Sequence, residues 1–169
     1  YDILCMTDDV DEFAVRMLGT FMEKTFKSVS DSDLNLVSDE EKRAAERAQE
    51  EHKDILAALK EALAGKVKDV RLSDRLKSSP VCLTSDGPLS IEMEKVLATM
   101  PVSDGSVKAE RVLEINPTHP VFGVLAGLTA EDERVKKYAG LLYDQALLIE
   151  GLPIEDPVSF SNSICELMV

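Results

Sequence analysis

The sequence predicts an α+β fold: a small βαβ unit, a long connector helix, then a small three-stranded sheet with helices that ends in a helix hairpin built to dimerise. Three observations predict it. Strand-like apolar runs alternate with helix-periodic stretches along the chain. A polar, acidic segment followed by an Ala- and Glu-rich helix divides the chain near residue 38, giving units at 1–37 and 38–169. The last third, from Leu113 onward, reads as helix, turn, helix with more apolar face than a chain of 169 residues has left to cover it.

Tyr1 to Met6 (YDILCM) is a short apolar run, and Thr7, Asp8 and Asp9 follow it as turn or helix-start residues, so a first strand is expected there. From Val10 the apolar positions Phe13, Val15, Met17, Leu18, Phe21 and Met22 suit a helix, and Thr25 to Val29 reads as a second strand. A strand, a helix of ~12 residues and a strand make a βαβ unit with parallel strands. One such unit cannot cover its own sheet, and the chain opens in mid-strand without an initiating Met, so it reads as a piece of a larger protein.

Asp31 to Lys42 is polar and acidic. Its D-x-D-x-N opening fails as a calcium loop, because Leu36 and Lys42 stand where Gly and a bidentate Glu are required. Ser38 and Glu41 form a capping box that opens one long helix through Ala64, stopped by Gly65. Its first half has no large apolar side chain and is expected to be a solvent-exposed connector; Ile55, Leu56, Leu59 and Leu63 give the second half a packing stripe.

Val67 to Leu72, Pro80 to Leu83 and Val112 to Ile115 are the three strands of the expected sheet. Asp86-Gly87-Pro88 is a turn that opens a helix reaching about Met100, where Pro101 forbids continuation. Thr129 and Asp132 start a helix that runs to Glu150 and is ended by Gly151. Asp156 before Pro157 then caps a last helix that runs to the C-terminus.

There are 19 Lys+Arg against 32 Asp+Glu, a formal charge of −13 that repels nucleic acid and anionic lipid. No apolar run approaches the ~18 residues a membrane span needs, and the N-terminus lacks the charged and apolar regions of a signal peptide. The expectation is a cytoplasmic protein with neither nucleic acid nor membrane as a partner. Cys5, Cys82 and Cys165 are widely spaced and odd in number, which suits reduced thiols. No GxGxxG, phosphate loop, HExxH or GxSxG occurs. His52, in the polar half of the connector, reads as a solvated surface residue, and His119, in NPTHP at a helix start, as a structural one. No catalytic residue and no metal ligand is expected.

What remains is apolar surface. After Pro88, the residues Leu89, Met93, Val96, Leu97 and Met100 recur at i, i+4, i+7, i+8 and i+11. They are either a core face or, given the turn and the Pro101 to Gly105 loop on their flanks and two adaptable methionines, a projecting arm. On the penultimate helix Leu141, Leu142, Gln145, Leu148 and Ile149 belong to a wide apolar arc; on the last, Phe160, Ile164, Leu167 and Met168 recur at i, i+4, i+7 and i+8. One side of the arc can pack on the strands. The rest needs a partner helix pair, which makes these residues the expected seam of a homodimer.

The same residues resemble the C-terminal part of the bacterial heat-shock protein 90 chaperone family. The matching pieces run in family order and cover nearly the whole chain: MTDDVDEFAVRML from Met6, VKDVRLSDRLKSSPVCL from Val67, LEINPTHP from Leu113, and LLYDQALLIEGLPIEDPVSF from Leu141. The resemblance implies that residues 1–37 end a middle domain and that 38–169 form a C-terminal dimerisation domain. It implies that the ATP and Mg site lies in an N-terminal domain outside this sequence, so no cofactor and no ATP hydrolysis are expected of these residues. It further implies a second kind of partner, unfolded or partly folded client proteins, with Glu12 and Phe13 in DEFAV and Leu89, Met93, Val96 and Leu97 as the client contacts. Phe13 stands where the family often has tryptophan; it keeps an aromatic anchor and lacks the indole donor. The competing reading is a plain homodimerisation module with no client surface, whose Leu89 to Met100 stripe is core or rests on a neighbouring domain. Exposure of Met93 and Leu97 favours the first reading, and full burial within one chain the second.

Overall fold

The computed structural model describes residues 2–8, 10–29, 39–99 and 108–168. The chain divides into two compact units, one gathering the described residues of 1–34 and 84–110, the other those of 35–83 and 111–169. Residues 30–38, which include the calcium-like opening and Ser38 of the expected capping box, and Met100 lie outside the described residues.

In the first unit, α1 (Asp11–Leu18) is followed by a short antiparallel hairpin, β1 (Thr20–Phe21) with β2 (Lys24–Thr25). The expected βαβ unit does not form. Met22 and Glu23 both take positive φ, 49° and 63°, which is the turn geometry that folds a chain straight back after two residues. β2, at the start of the expected second strand, pairs antiparallel with β1, and Asp2–Thr7 makes no strand among the described residues. α1 begins where the Asp11 carboxylate accepts the backbone N–H groups of Thr7 and Asp8, at 3.0 and 3.1 Å.

The same unit holds an excursion of the chain that carries α4 (Ile91–Thr99). Its base is closed by the Asp86 N–H donating to the Glu110 carbonyl, 2.8 Å. The helix starts three residues beyond Pro88 because Ser90 caps it, its Oγ accepting the Met93 N–H at 3.1 Å. Ser90, Ile91 and Glu94 form its buried face, and the Glu94 carboxylate accepts the Ala109 N–H at 2.9 Å. The leading core residue of this helix is thus Ile91, which lies off the expected stripe.

The second unit contains α2 (Asp39–Glu51), α3 (Lys53–Ala62), β3 (Asp69–Leu72), β5 (Arg111–Ile115), α5 (Pro120–Ala126), α6 (Arg134–Ile149) and α7 (Pro157–Leu167), and β4 (Val81–Ser85) starts in it. The three expected strands form one sheet in the order β3-β5-β4, with β3 and β5 parallel and Val70 opposite Leu113. Val112 to Ile115 of the central strand are all buried, as in a strand covered on both faces. Ile55, Leu56, Leu59 and Leu63 supply the expected stripe, and α3 packs against α6 and β3. Gly65 and Gly151 end their helices at φ +81° and +69°, where a side chain would be strained.

The long helix bends at His52, where α2 meets α3 with φ −108° and ψ 18°, although no Gly or Pro interrupts residues 39–62. Its backbone bonds carry on through the bend, the His52 N–H donating to the Ala48 carbonyl at 3.0 Å and the Leu56 N–H to the His52 carbonyl at 3.1 Å. The cause is tertiary. The His52 ring meets Phe122 edge-on, centroids 5.0 Å apart and planes at 88°, and Gln49 Oε1 accepts the Leu72 N–H at the end of β3, 2.7 Å. His52 is therefore half-buried rather than solvated. α2 is fastened to the sheet edge rather than free, although most of its described side chains are exposed.

Candidate functional site

LEINPTHP ends β5 and opens α5, and its polar residues are engaged in holding the fold. The buried Glu114 carboxylate accepts two hydrogen bonds from the Arg71 guanidinium (3.2 and 2.7 Å), one from Arg75 (3.3 Å) and one from the Ser73 hydroxyl (2.9 Å). Burial by itself would raise the Glu114 pKa; the hydrogen bond from Arg71, the charges of Arg75 and Arg71 and the hydrogen bond from Ser73 outweigh it and hold the carboxyl below its ordinary value. Cys82 lies 3.9 Å from the same carboxylate. Burial and the Glu114 charge push its thiol up to about 12, so it is not poised as a nucleophile.

Asn116, fully buried, donates to the carbonyls of Lys77 and Ser79 (3.4 and 3.0 Å) and accepts from the Thr118 N–H and hydroxyl (2.9 and 2.8 Å). His119 caps α5, its Nδ1 accepting the Val121 N–H at 3.2 Å, with Pro120 in the first turn. His119 is thus structural, as its place in the sequence suggests. Two separated motifs, VRLSDR and LEIN, lock together through Glu114. The arrangement secures a loop and offers no open acid, base or nucleophile. Among the described residues no group of three or more His, Cys, Asp or Glu is placed to hold a metal ion, and no helix is long and apolar enough to cross a membrane.

The residues left over for binding lie on two surfaces. On α6 the arc divides: Val135, Ala139, Leu142, Tyr143, Ala146 and Leu147 are buried. Leu142, 2% exposed, belongs to the chain's own core and leaves the expected seam. Leu141 and Gln145 are half-buried, Leu148 is 52% exposed, and Ile149 is exposed beside it. α7 is well capped, Asp156 Oδ1 accepting the N–H groups of Val158 and Ser159 at 3.1 and 2.9 Å, and Lys137 on α6 pairs with Glu166 on α7 at 2.6 Å. Yet none of its residues is buried. Phe160 and Ile164 are half-buried, Leu167 is exposed, and Met168 is 79% exposed. A hollow of about 270 Å³ separates the two helices, with Leu141 and Phe160 among its lining and Lys66, Lys136, Asp144 and Glu155 around it.

The second surface is made by α1 and α4, which pack against each other within one unit. Phe13 is 48% exposed; Leu89, Met93, Val96 and Leu97 are half-buried. Glu12 is half-buried and pairs with Arg16 at 2.7 Å. Met93 and Leu97 are thus neither open nor fully covered. The sequence reading misses Gln49, the Glu114 lock and Ile91. Only Ile91 carries a local signal, the Ser90 cap just before it.

A family model described as Hsp90 protein matches residues 1–169. Among curated proteins, the chain is 56% identical to the chaperone protein HtpG of Bacillus velezensis over 170 residues and 54% identical to that of Bacillus subtilis, in each case covering 100% of this chain. The HtpG of Clostridium acetobutylicum is 56% identical over 169 residues. The chain spans about a quarter (27%) of the length of these relatives.

Proposed function

The chain belongs to the Hsp90 protein family, and on that premise we propose that it pairs with a second copy through α6 and α7 and holds apolar segments of incompletely folded proteins on α1 and α4. One observation carries the first part: α7 is capped and ion-paired, yet buries none of its residues. A helix of 11 residues is marginal in water without tertiary support. The apolar residues it leaves uncovered, with Leu148 and Ile149 beside them, suit a two-fold helix bundle. At ~25 cal/mol per Å², an apolar interface of ~1,500 Å² supports a stable dimer after association costs. The seam is Leu141, Gln145, Leu148, Ile149, Phe160, Ile164, Leu167 and Met168.

Sedimentation of the purified chain tests this. A dimer is expected at tens of micromolar, and replacing both Leu148 and Ile164 with Glu is expected to yield a folded monomer. A wild-type monomer would overturn the pairing, and an unchanged mass in the double variant would put the seam elsewhere.

The second part rests on exposed Phe13 beside the half-covered α4 face. In this reading the segment works in the cytoplasm, carries no catalytic step and binds no cofactor; ATP and Mg act in the part of the longer protein that lies outside it. A plain dimerisation module is the second reading, and the partial cover of Met93 and Leu97 is the observation in its favour. Binding of a permanently unfolded protein, lost in Phe13→Asp, is the expected result; equal binding by both forms would favour the plain module.

A further inference from the structure

This inference rests on the dimer reading and concerns the hollow between α6 and α7. Two ion pairs fasten α7 at its ends: Lys66 with Glu155, just before the cap, at 3.6 Å, and Lys137 of α6 with Glu166, in the last turn, at 2.6 Å. All four side chains are exposed, where such pairs hold weakly. Between these two clamps the helices do not close up. The hollow of about 270 Å³ has room for one long side chain with a few waters, at about 30 Å³ each. Gly140 lies in its α6 wall, in mid-helix, where glycine is less stable than alanine. Nothing in its own chain asks for a glycine there: an added Cβ would meet no described atom within 4 Å. The space that Gly140 keeps open is thus unused by a single copy. Leu141 and Phe160 line the same hollow and belong to the seam, so hollow and seam form one continuous surface.

We propose that the hollow is a socket for one side chain of the second copy, Met168, so that each copy fills the other's socket. Two-fold pairing puts knob and socket on the same patch, because a residue i that meets j makes j meet i. The knob is therefore an exposed seam residue that does not itself line the socket. Met168 is 79% exposed, and no other seam residue exceeds 52%. Its side chain is unbranched, with three rotatable bonds and a polarisable sulfur, which suits an irregular wall of glycine, leucine, phenylalanine and serine. Seating it removes Leu141 and Phe160 from water and gives α7 the apolar contact that its ion pairs do not supply. The two clamps hold the socket open, and the second copy completes it.

Sedimentation equilibrium of the intact chain and three variants tests the socket. Gly140→Leu plugs the space with a good helix former. It is expected to keep the wild-type helix content by circular dichroism and to dimerise at least about tenfold more weakly, the loss that follows when a buried methionine is left unseated. Met168→Ala, at an exposed chain end where folding is not at stake, is expected to lose about as much. The double variant is expected to lose no more than either single one, since both changes remove one contact. Unchanged association in either single variant means that the hollow holds only solvent or that Met168 seats elsewhere. Losses that add in the double variant mean that the two residues do not meet. Either result overturns the socket and leaves the dimer in place, whereas a wild-type monomer overturns both.

Discussion

Glu114 is 3% exposed among two guanidiniums, a hydroxyl and a thiol, whereas α7, eleven residues long in the same unit, has none of its residues buried. Both are polar-satisfied: Glu114 accepts from Arg71, Arg75 and Ser73, and α7 has its cap and an ion pair to α6. They differ in apolar cover. β5 is sealed between its neighbours, while α7 keeps its ends tidy and its apolar side chains half-buried or exposed. Local satisfaction forms a helix, and only burial holds it. That contrast separates the part of the unit that is complete alone from the part that, in the proposed dimer, a second copy covers.

The largest break in the comparison is Glu114→Ala, which leaves Arg71 and Arg75 without their carboxylate in a largely buried site. A loss of about 3–5 kcal/mol is expected in denaturant unfolding; a loss below ~1 kcal/mol would mean that the lock contributes little. The same lock sets the acid limb. Because the folded Glu114 carboxyl is held below its ordinary 4.5, its stabilisation is complete above that value and falls as pH drops through the lowered one. Unfolding measured from pH 7 to pH 3 is expected to lose part of this dependence in Glu114→Gln. Alkylation reads the lock from the thiol side. With Cys82 pushed from 9.0 up to about 12, its thiolate at pH 8 is about a thousandfold scarcer, so exposed Cys5 and Cys165 are expected to label first.

Asn116→Ala strips partners from two carbonyls and from Thr118, and about 2–3 kcal/mol is the expected cost. A cost near zero in thermal unfolding would assign the loop to Glu114 alone. The smallest effect sharpens the other side. Asp156→Ala removes the α7 cap for about 1 kcal/mol. The cost is expected in faster α7 exchange and, in the proposed dimer, about fivefold weaker association, with the sheet unaffected. Equal destabilisation of β5 would show that α7 is part of the same cooperative lock.

The helix stops at Gly65 and Gly151, the cap at Asp156 and the three strands are legible in the sequence because each depends on a few adjacent residues. The N-terminal hairpin is not, because Met22 and Glu23 adopt positive φ without the glycine that signals such a turn. Of the two candidate surfaces, periodicity finds the helices and assigns their faces only in part: Leu142 turns inward, and Ile91 replaces the expected stripe as the core contact of α4.

The sequence by itself determined the α+β class, the placement of the sheet and last two helices, and a surplus of apolar face, since propensity, capping and period act over one or two turns. Only the tertiary structure decided where the connector bends, which half of the α6 arc is core, and that Arg71, Ser73, Arg75 and Cys82 converge on Glu114. The physical reason is the same in each case. His52 needs Phe122, Gln49 needs Leu72 and Arg71 needs Glu114. Partners that far apart along the chain leave no local mark of their meeting.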